Sequence, residues 1–136
     1  MANELVGYGS SVPTNFNDSI SRQVTVNPIV VARFGMITPV NGTDVVLSGI
    51  VGFRSLLGLP EILFKVIRDT GVIGSTLSST VTVGEFRNVP LHFVDRNVPP
   101  GFHSYTLTAE LTTNSLTTNA TIVGPASLTG LAITTN

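Results

Sequence analysis

Apolar and polar residues alternate most strictly in the segment from Pro99 to Leu111. The segment begins with Pro-Pro-Gly, a turn in which two fixed φ angles precede a residue that is free to adopt positive φ. After this turn, every second residue falls on one face of an extended chain: His103, Tyr105, Leu107, Ala109 and Leu111. The opposite face carries serine, threonine and glutamate. The pattern therefore predicts a strand in the middle of a sheet, with one face on the core and one toward water.

Short segments rich in β-branched residues recur along the rest of the chain, with turn residues at intervals of about ten residues. The predicted strands are 20–26, 29–37, 45–53, 61–68, 77–83, 89–94, 102–111, 116–123 and 128–133. The Gly124-Pro125 pair is interpreted as a turn between the last two strands. No segment keeps a helical period. This spacing is typical of an all-β sandwich or barrel, and the chain length fits one domain.

Residues 1–18 carry apolar side chains among glycine, serine and asparagine, too few for a helix and too many for a flexible tail. Two interpretations stay open. The segment is either an edge strand or frayed terminus of the domain, or an arm that adds as a strand to the sheet of a neighbouring subunit. In the second interpretation the domain spans 19–136, and the arm contacts its neighbour through Leu5, Val6, Tyr8 and Val12.

A second apolar stretch lies near the middle of the chain. Residues 55–60, Ser-Leu-Leu-Gly-Leu-Pro, are predicted to form a loop, and an apolar loop is unusual in water. The strand predicted at 61–68 is apolar on both faces, which indicates burial on both sides. Because exposed apolar surface marks interfaces, we expect contacts between subunits, as in a trimer, at Leu56, Leu57, Leu59, Leu63 and Ile67.

The chain of 136 residues is weakly charged, since 11% of its residues are charged against a usual share of about 25%. Serine, threonine and asparagine take the outward positions, and the mean hydropathy is +0.39. One explanation is that much of the surface is buried against identical copies. The other is a threonine-rich β-protein that is simply weakly charged.

The charge balance also excludes several classes of partner. A net charge of -1 and a pI of about 6.0 give no attraction to nucleic acid or to an acidic membrane surface. No apolar run of about 18 residues predicts a transmembrane helix, and no signal peptide is visible at the N terminus. The chain has no cysteine, which excludes disulfides, thiolate metal sites and cysteine catalysis. We expect no nucleic-acid partner and no membrane insertion.

Candidates for chemistry are few. The two histidines, His92 and His103, lie in strand patterns with no second histidine or carboxylate at ligand spacing, so each is interpreted as a structural or surface residue. Asp95 lies before a turn and is predicted to cap backbone N–H groups. The Gly-Tyr-Gly at 7–9 is too short for a phosphate loop. The sequence therefore predicts no enzyme, no cofactor and no metal site.

Several short motifs in the second half of the chain carry a resemblance to a known group of proteins: Phe93-Val94-Asp95, Gly101, Tyr105, Leu107 and the tail from Leu128 to Ile133. With them, residues 45–133 resemble small jelly-roll domains of bacterial spore surfaces. These domains are similar to endospore appendage subunits and to the C-terminal domain of collagen-like exosporium glycoproteins, itself like the tumour-necrosis-factor jelly roll. The chain lacks the Gly-X-Y tract of the glycoproteins and the cysteines of the appendages. The resemblance implies a structural jelly roll that self-associates, commonly as a trimer.

Together these points predict an all-β, single-domain antiparallel β-sandwich of jelly-roll type with an extended N-terminal arm. Its expected function is to polymerise with itself, by strand addition, into a fibre on a spore or cell surface. One rival is a viral or phage capsid or decoration protein, although residues 1–18 lack the basic side chains of an arm that packages nucleic acid. The other is a carbohydrate- or receptor-binding module, although the chain has no tryptophan and two tyrosines.

Overall fold

The computed structural model describes residues 3–113 and 117–135, which form nine β-strands and no helix. The strands are β1 (Asn3–Thr14), β2 (Arg22–Val24), β3 (Ile29–Thr38), β4 (Thr43–Leu57), β5 (Glu61–Arg68), β6 (Gly71–Ser79), β7 (Phe86–Val98), β8 (Gly101–Leu111) and β9 (Asn119–Thr135). Every strand pairing is antiparallel. The prediction of an all-β protein is confirmed.

The strands form two sheets with the strand order of a jelly roll. In sheet A the order is β1-β9-β4-β7, with β2 also paired to β9, and in sheet B it is β3-β8-β5-β6. β1 pairs with the C-terminal part of β9 and β2 with its N-terminal part, so the two act as one interrupted edge strand. Counted in this way, eight strands form two four-stranded sheets in the jelly-roll order, with the hairpin β5–β6 in sheet B.

The core lies between the two sheets and is built from alternate residues of each strand. The predicted inward face of β8 is confirmed, because its five members from His103 to Leu111 are all buried. β8 lies between β3 and β5, as expected for the strictest alternation. Aromatic side chains fill the centre: Phe34 stacks on Tyr105 with ring centroids 5.5 Å apart, and Phe53 packs on Phe64 at 6.1 Å.

Several predicted strand boundaries are wrong. β4 extends through Leu57, so the apolar loop begins at Gly58 rather than at Ser55. β6 ends at Ser79, and the residues from Thr80 to Glu85, part of which were predicted as strand, form the loop before β7. Gly124-Pro125 does not turn the chain, since β9 continues through it. The strand predicted at 116–123 is the beginning of β9, and residue 116 lies outside the described residues.

A bulge explains how β9 passes through Gly124-Pro125 without ending. Val51 pairs with Ala126 and Phe53 with Ile122, so three residues of β9 lie opposite Gly52 alone. Gly124 has a φ of 94°, a conformation that glycine adopts at no steric cost. A Cβ atom on Gly52 would lie 2.1 Å from the carbonyl oxygen of Gly124. The bulge therefore depends on glycine in both strands.

Candidate assembly surfaces

Large apolar side chains are exposed on several parts of the described surface. Seventeen of them are exposed, among them four phenylalanines or tyrosines: Tyr8, Phe16, Phe86 and Phe102. Scattered apolar side chains are normal on a protein surface, whereas contiguous groups mark interaction sites. The groups described below occur at the two ends of the sandwich and on the outer face of sheet B.

The predicted arm lies in this structure as the edge strand β1 of sheet A, paired with β9 of the same chain. Leu5, Tyr8 and Val12 are exposed, and Val6 is partly buried against the core. Among the twelve residues of β1, all of which the structure describes, Gly9 is the single buried one. Main-chain pairing therefore holds this strand more than side-chain burial does. Its exchange with a neighbouring subunit stays a prediction.

An open groove of about 470 Å³ lies where β1 passes beside β3. Its lining is uncharged and consists of Val6, Gly7, Tyr8, Gly35, Met36, Ile37 and Phe102. Glycine permits the close approach of the two strands, because a Cβ atom on Gly9 would lie 2.4 Å from Cδ2 of Phe34. On the outer side, Phe102 lies over Gly35. The Gly-Tyr-Gly motif thus has a packing role at the sandwich edge.

The opposite end of the sandwich carries a second apolar group, which we call the tip. Its members are Leu56, Leu57 and Leu59 from the end of β4 and the following loop, and Val81, Val83 and Phe86 from the β6–β7 segment, each at least 45% exposed. Ser55 holds the two segments together: its N–H donates to Glu85 O at 3.1 Å, and its carbonyl accepts from Gly84 N at 2.9 Å. The guanidinium of Arg54 lies 5.1 Å from the ring centre of Phe86.

Glu85 orders the loop that presents Val81 and Val83. Its Oε1 accepts hydrogen bonds from the backbone N–H groups of Val81 and Thr82, at 3.1 and 3.2 Å, while its Oε2 accepts from Arg87 at 2.6 Å. The Arg87 guanidinium and these N–H groups lower the pKa of Glu85 to about 2. Glu85 thus ties the backbone of this loop to Arg87, and a segment ordered before binding loses less entropy on association.

The five residues predicted at a subunit interface therefore divide between two places. Leu56, Leu57 and Leu59 lie at the tip, whereas Leu63 and Ile67 lie half-buried on the outer face of β5. Strand β5 is thus buried on one face and half-buried on the other. Val81 and Val83 were not predicted as exposed residues of this group, because the sequence pattern places them in a strand, where alternation buries one face.

A polar network links the turns at the groove end of the sandwich. Nδ1 of His103 lies 2.8 Å from Oδ2 of Asp69 in the β5–β6 turn, and Nε2 lies 2.7 Å from the carbonyl oxygen of Pro99 in the β7–β8 turn. A carboxylate and a carbonyl can only accept, so this geometry requires both ring nitrogens to donate, as in imidazolium. The same Pro99 oxygen accepts from Oγ1 of Thr38 at 2.7 Å. His103 is thus structural, as predicted, and ties two turns together.

Asp95 does not cap backbone N–H groups, and that prediction is wrong. Its carboxylate accepts from Nη1 of Arg68 at 2.9 Å and from the hydroxyl of Tyr105 at 2.8 Å. Asp95 lies in β7 with its side chain 7% exposed, and Tyr105 is completely buried. Burial, and then the bond to Asp95, raise the pKa of Tyr105. The alternation of residues along β7 points the carboxylate inward, where a buried charge needs partners.

The His103–Asp69 contact predicts a pH-dependent stability. The bond to Asp69 raises the pKa of His103 and lowers that of Asp69. Its stabilisation is therefore complete between pH 3.8 and 6.5, the ordinary values of the two groups. It is lost as the pH rises through the folded-state pKa of His103, or falls through that of Asp69. Asp69 is half-exposed. We therefore expect the free energy of unfolding, measured with urea, to fall by about 1 kcal/mol between pH 6.5 and alkaline pH.

The histidine variants provide the control for this measurement. His103→Gln should remove this alkaline slope, whereas His92→Gln, at an exposed position of β7, should leave it unchanged. An unchanged slope in His103→Gln would show that other groups titrate in this range.

Among the described residues, no group of three or more histidine, aspartate or glutamate side chains could hold a metal ion. Nor does the described part of the chain contain a helix that could cross a membrane.

Comparison with known proteins gives a distant structural likeness. No protein-family model matches the sequence, and no curated protein matches it. Among solved structures, the chain is similar to a chain of the T13 IBDV viral particle, with 11% sequence identity and a TM-score of 0.44. The similarity covers 97% of this chain and 35% of the viral chain. This chain therefore spans about a third of the length of that protein.

Proposed function

We propose that this chain is a structural subunit that assembles with copies of itself into a fibre on a spore or cell surface. The observation that carries the proposal is the position of the two apolar groups. The groove includes Phe102 at one end of β8, and the tip lies beyond Leu111 at the other end, where β8 pairs with Ile62 at the start of β5. At about 3.4 Å per residue the two groups lie about 30 Å apart.

Surfaces at opposite ends of a subunit favour a filament over a closed ring. A contact that joins two different surfaces head to tail propagates when its rotation does not close. The groove lining is uncharged, and at the tip the carboxylate of Glu85 is paired with Arg87. In a trimer of these domains, Leu56, Leu57 and Leu59 are our candidates for the contact.

Strand exchange through β1 is the finer part of the proposal. The same β1–β9 pairing can form within one chain or between two, so exchange conserves its hydrogen bonds. The segment between β1 and β2 is the hinge, and it is held by a few polar contacts: Ser19 N–H donates to Val123 O at 2.9 Å, and the hydroxyls of Thr14 and Ser19 lie 2.5 Å apart. Of the residues of β1 itself, one is buried, so few of its own side chains have to leave the core when the hinge opens.

A cysteine pair tests the exchange directly, because the natural chain has no cysteine. Ser10 lies opposite Thr129 in the β1–β9 register, so we expect Ser10→Cys/Thr129→Cys to form disulfides between chains. Oxidised samples should then give a ladder of covalent oligomers on a non-reducing gel, and filaments in negative-stain electron microscopy.

The control pair is Ser48→Cys/His92→Cys, which joins β4 to β7 inside the domain and should cross-link within one chain. Cross-links confined to single chains in both variants would rule out strand exchange. Assembly through the groove and the tip would still be compatible with that result. A wild-type protein that stays monomeric at every concentration in analytical ultracentrifugation would rule out the proposed function itself.

A further inference from the structure

The edge of sheet B at β6 has a hydrogen-bonded neighbour on one side only. β6 pairs with β5, and no other strand continues the sheet beyond it in the described structure. An edge strand presents a row of backbone N–H and C=O groups that can pair with another strand. From this edge we infer that β6 pairs antiparallel with β6 of a second copy across a two-fold axis, so that sheet B continues from four strands to eight. The inference rests on the proposed self-assembly and identifies a second contact for it.

The other three edges carry proline or charge, and β6 carries neither. β1 contains Pro13 and lies against β3, and β3 carries Arg33. β7 contains Pro90 and two arginines. Proline and charge are devices that keep edge strands apart. The nine residues of β6, Gly-Val-Ile-Gly-Ser-Thr-Leu-Ser-Ser, contain neither proline nor charge.

The absence of charge on β6 also indicates which partner can pair with this edge. In a two-fold contact each surface meets its own copy, so a charged edge would face the same charge. On the adjoining strand, Lys65 is paired with Glu110 at 2.8 Å and Arg68 with Asp95 at 2.9 Å, while Glu61 lies at the far end of the edge, opposite Ser79. The edge itself is neutral, and the charge behind its middle is paired, so it is compatible with a second copy of itself.

The outward side chains of β6 and β5 add apolar contact area to this pairing. Val72 and Leu77 are more than half exposed, and they lie opposite Ile67 and Leu63 of β5 in the register. Two copies joined at β6 would place these four side chains of each copy on one continuous sheet face. Leu63 and Ile67, predicted from the sequence to lie at an interface, would then flank the contact.

The register limits where the two strands can pair. Between Gly74 and Ser79 the pairing of β6 with β5 is unbroken, whereas a shift occurs between Gly74 and Val72. A regular edge is the part that another strand can extend. Ser75 is exposed and lies in this regular stretch, opposite Lys65 of its own chain, which makes it the position for a test.

The test compares Ser75→Glu with Ser75→Gln by sedimentation equilibrium. With the two-fold axis beside Ser75, each new carboxylate of the glutamate variant faces Lys65 of its own chain but meets the same charge on the partner's edge. We expect association to weaken at least tenfold in Ser75→Glu, while Ser75→Gln, of similar size and neutral, stays within twofold of the wild type. Asn88→Glu, which adds the same charge to the protected edge β7, should also associate as the wild type does.

Two outcomes would overturn the inference. One is equal association of Ser75→Glu and Ser75→Gln, and the other is equal weakening by Asn88→Glu. Thermal unfolding within about two degrees of the wild type confirms that each variant is folded. Adding Ser75→Glu to the Ser10→Cys/Thr129→Cys pair separates this inference from the proposed function. Persistent cross-linking between chains there, with unchanged association, would refute the β6 contact alone.

Discussion

Replacing Asp95 by alanine should lower the free energy of unfolding by about 3 kcal/mol. The substitution leaves the hydroxyl of Tyr105 without an acceptor in a completely buried position. It also removes the partner of Arg68, whose side chain is 27% exposed and can reach water in part. The cost therefore falls mainly on the tyrosine hydroxyl, because a buried polar group without a partner loses its hydration and gains nothing in return. Urea unfolding of the wild type and of Asp95→Ala at neutral pH measures this loss of stability.

A double-mutant cycle separates this cause from a general loss of packing. Tyr105→Phe removes the hydroxyl, so the double variant Asp95→Ala/Tyr105→Phe should lose clearly less than the sum of the two single variants. Strict additivity would mean that the Asp95–Tyr105 bond does not determine the cost. The salt bridge of Lys65 with Glu110 is a comparison at the surface, where removal of one partner should cost below about 1 kcal/mol.

Replacing Gly52 by alanine should destabilise the protein by at least about 3 kcal/mol, or prevent folding. The added Cβ atom would lie 2.1 Å from the oxygen and 2.6 Å from the carbon of the Gly124 carbonyl. Both contacts are with backbone, so no side-chain rotation relieves them. Since β4 and β9 are the central strands of sheet A, their separation would weaken pairing on both sides.

Gly71→Ala is the matched control, because its Cβ atom would have no neighbour closer than 4.0 Å. We expect it to change stability by less than about 1 kcal/mol. Chemical unfolding of the two variants, or the soluble yield where Gly52→Ala does not fold, gives the comparison. Equal stability of both would show that β4 and β9 can separate at the bulge without cost.

Exchange of β1 and pairing of β6 use different sides of the sandwich. β1 lies beside β3 at one side, and β6 and β7 form the other edges of sheets B and A. Exchange of β1 and pairing of β6 can therefore occur in the same assembly. Subunits linked by exchange of β1 would form a protofilament, and β6 contacts would join two protofilaments into one filament. The Ser75→Glu variant should then give single protofilaments.

The sequence determined the strand content and the direction of most side chains. Alternation in β8 placed Tyr105 and Leu107 in the core because successive side chains of a strand point to opposite faces. The strand predicted at 61–68 has the bounds of β5, Glu61–Arg68. Low charge and the apolar residues Leu56, Leu57 and Leu59 indicated exposed apolar surface, which the structure gathers at the tip.

Tertiary structure alone decided which residues meet. The contacts of His103 with Asp69, and of Asp95 with Arg68, join residues that are 34 and 27 positions apart in the sequence, where no local pattern connects them. Gly124-Pro125 shows the same limit, since a local turn signal was overridden by a bulge between β4 and β9. Alternation fixes which way a side chain points, whereas the order of strands in the two sheets fixes its neighbours and leaves β6 as the unprotected edge.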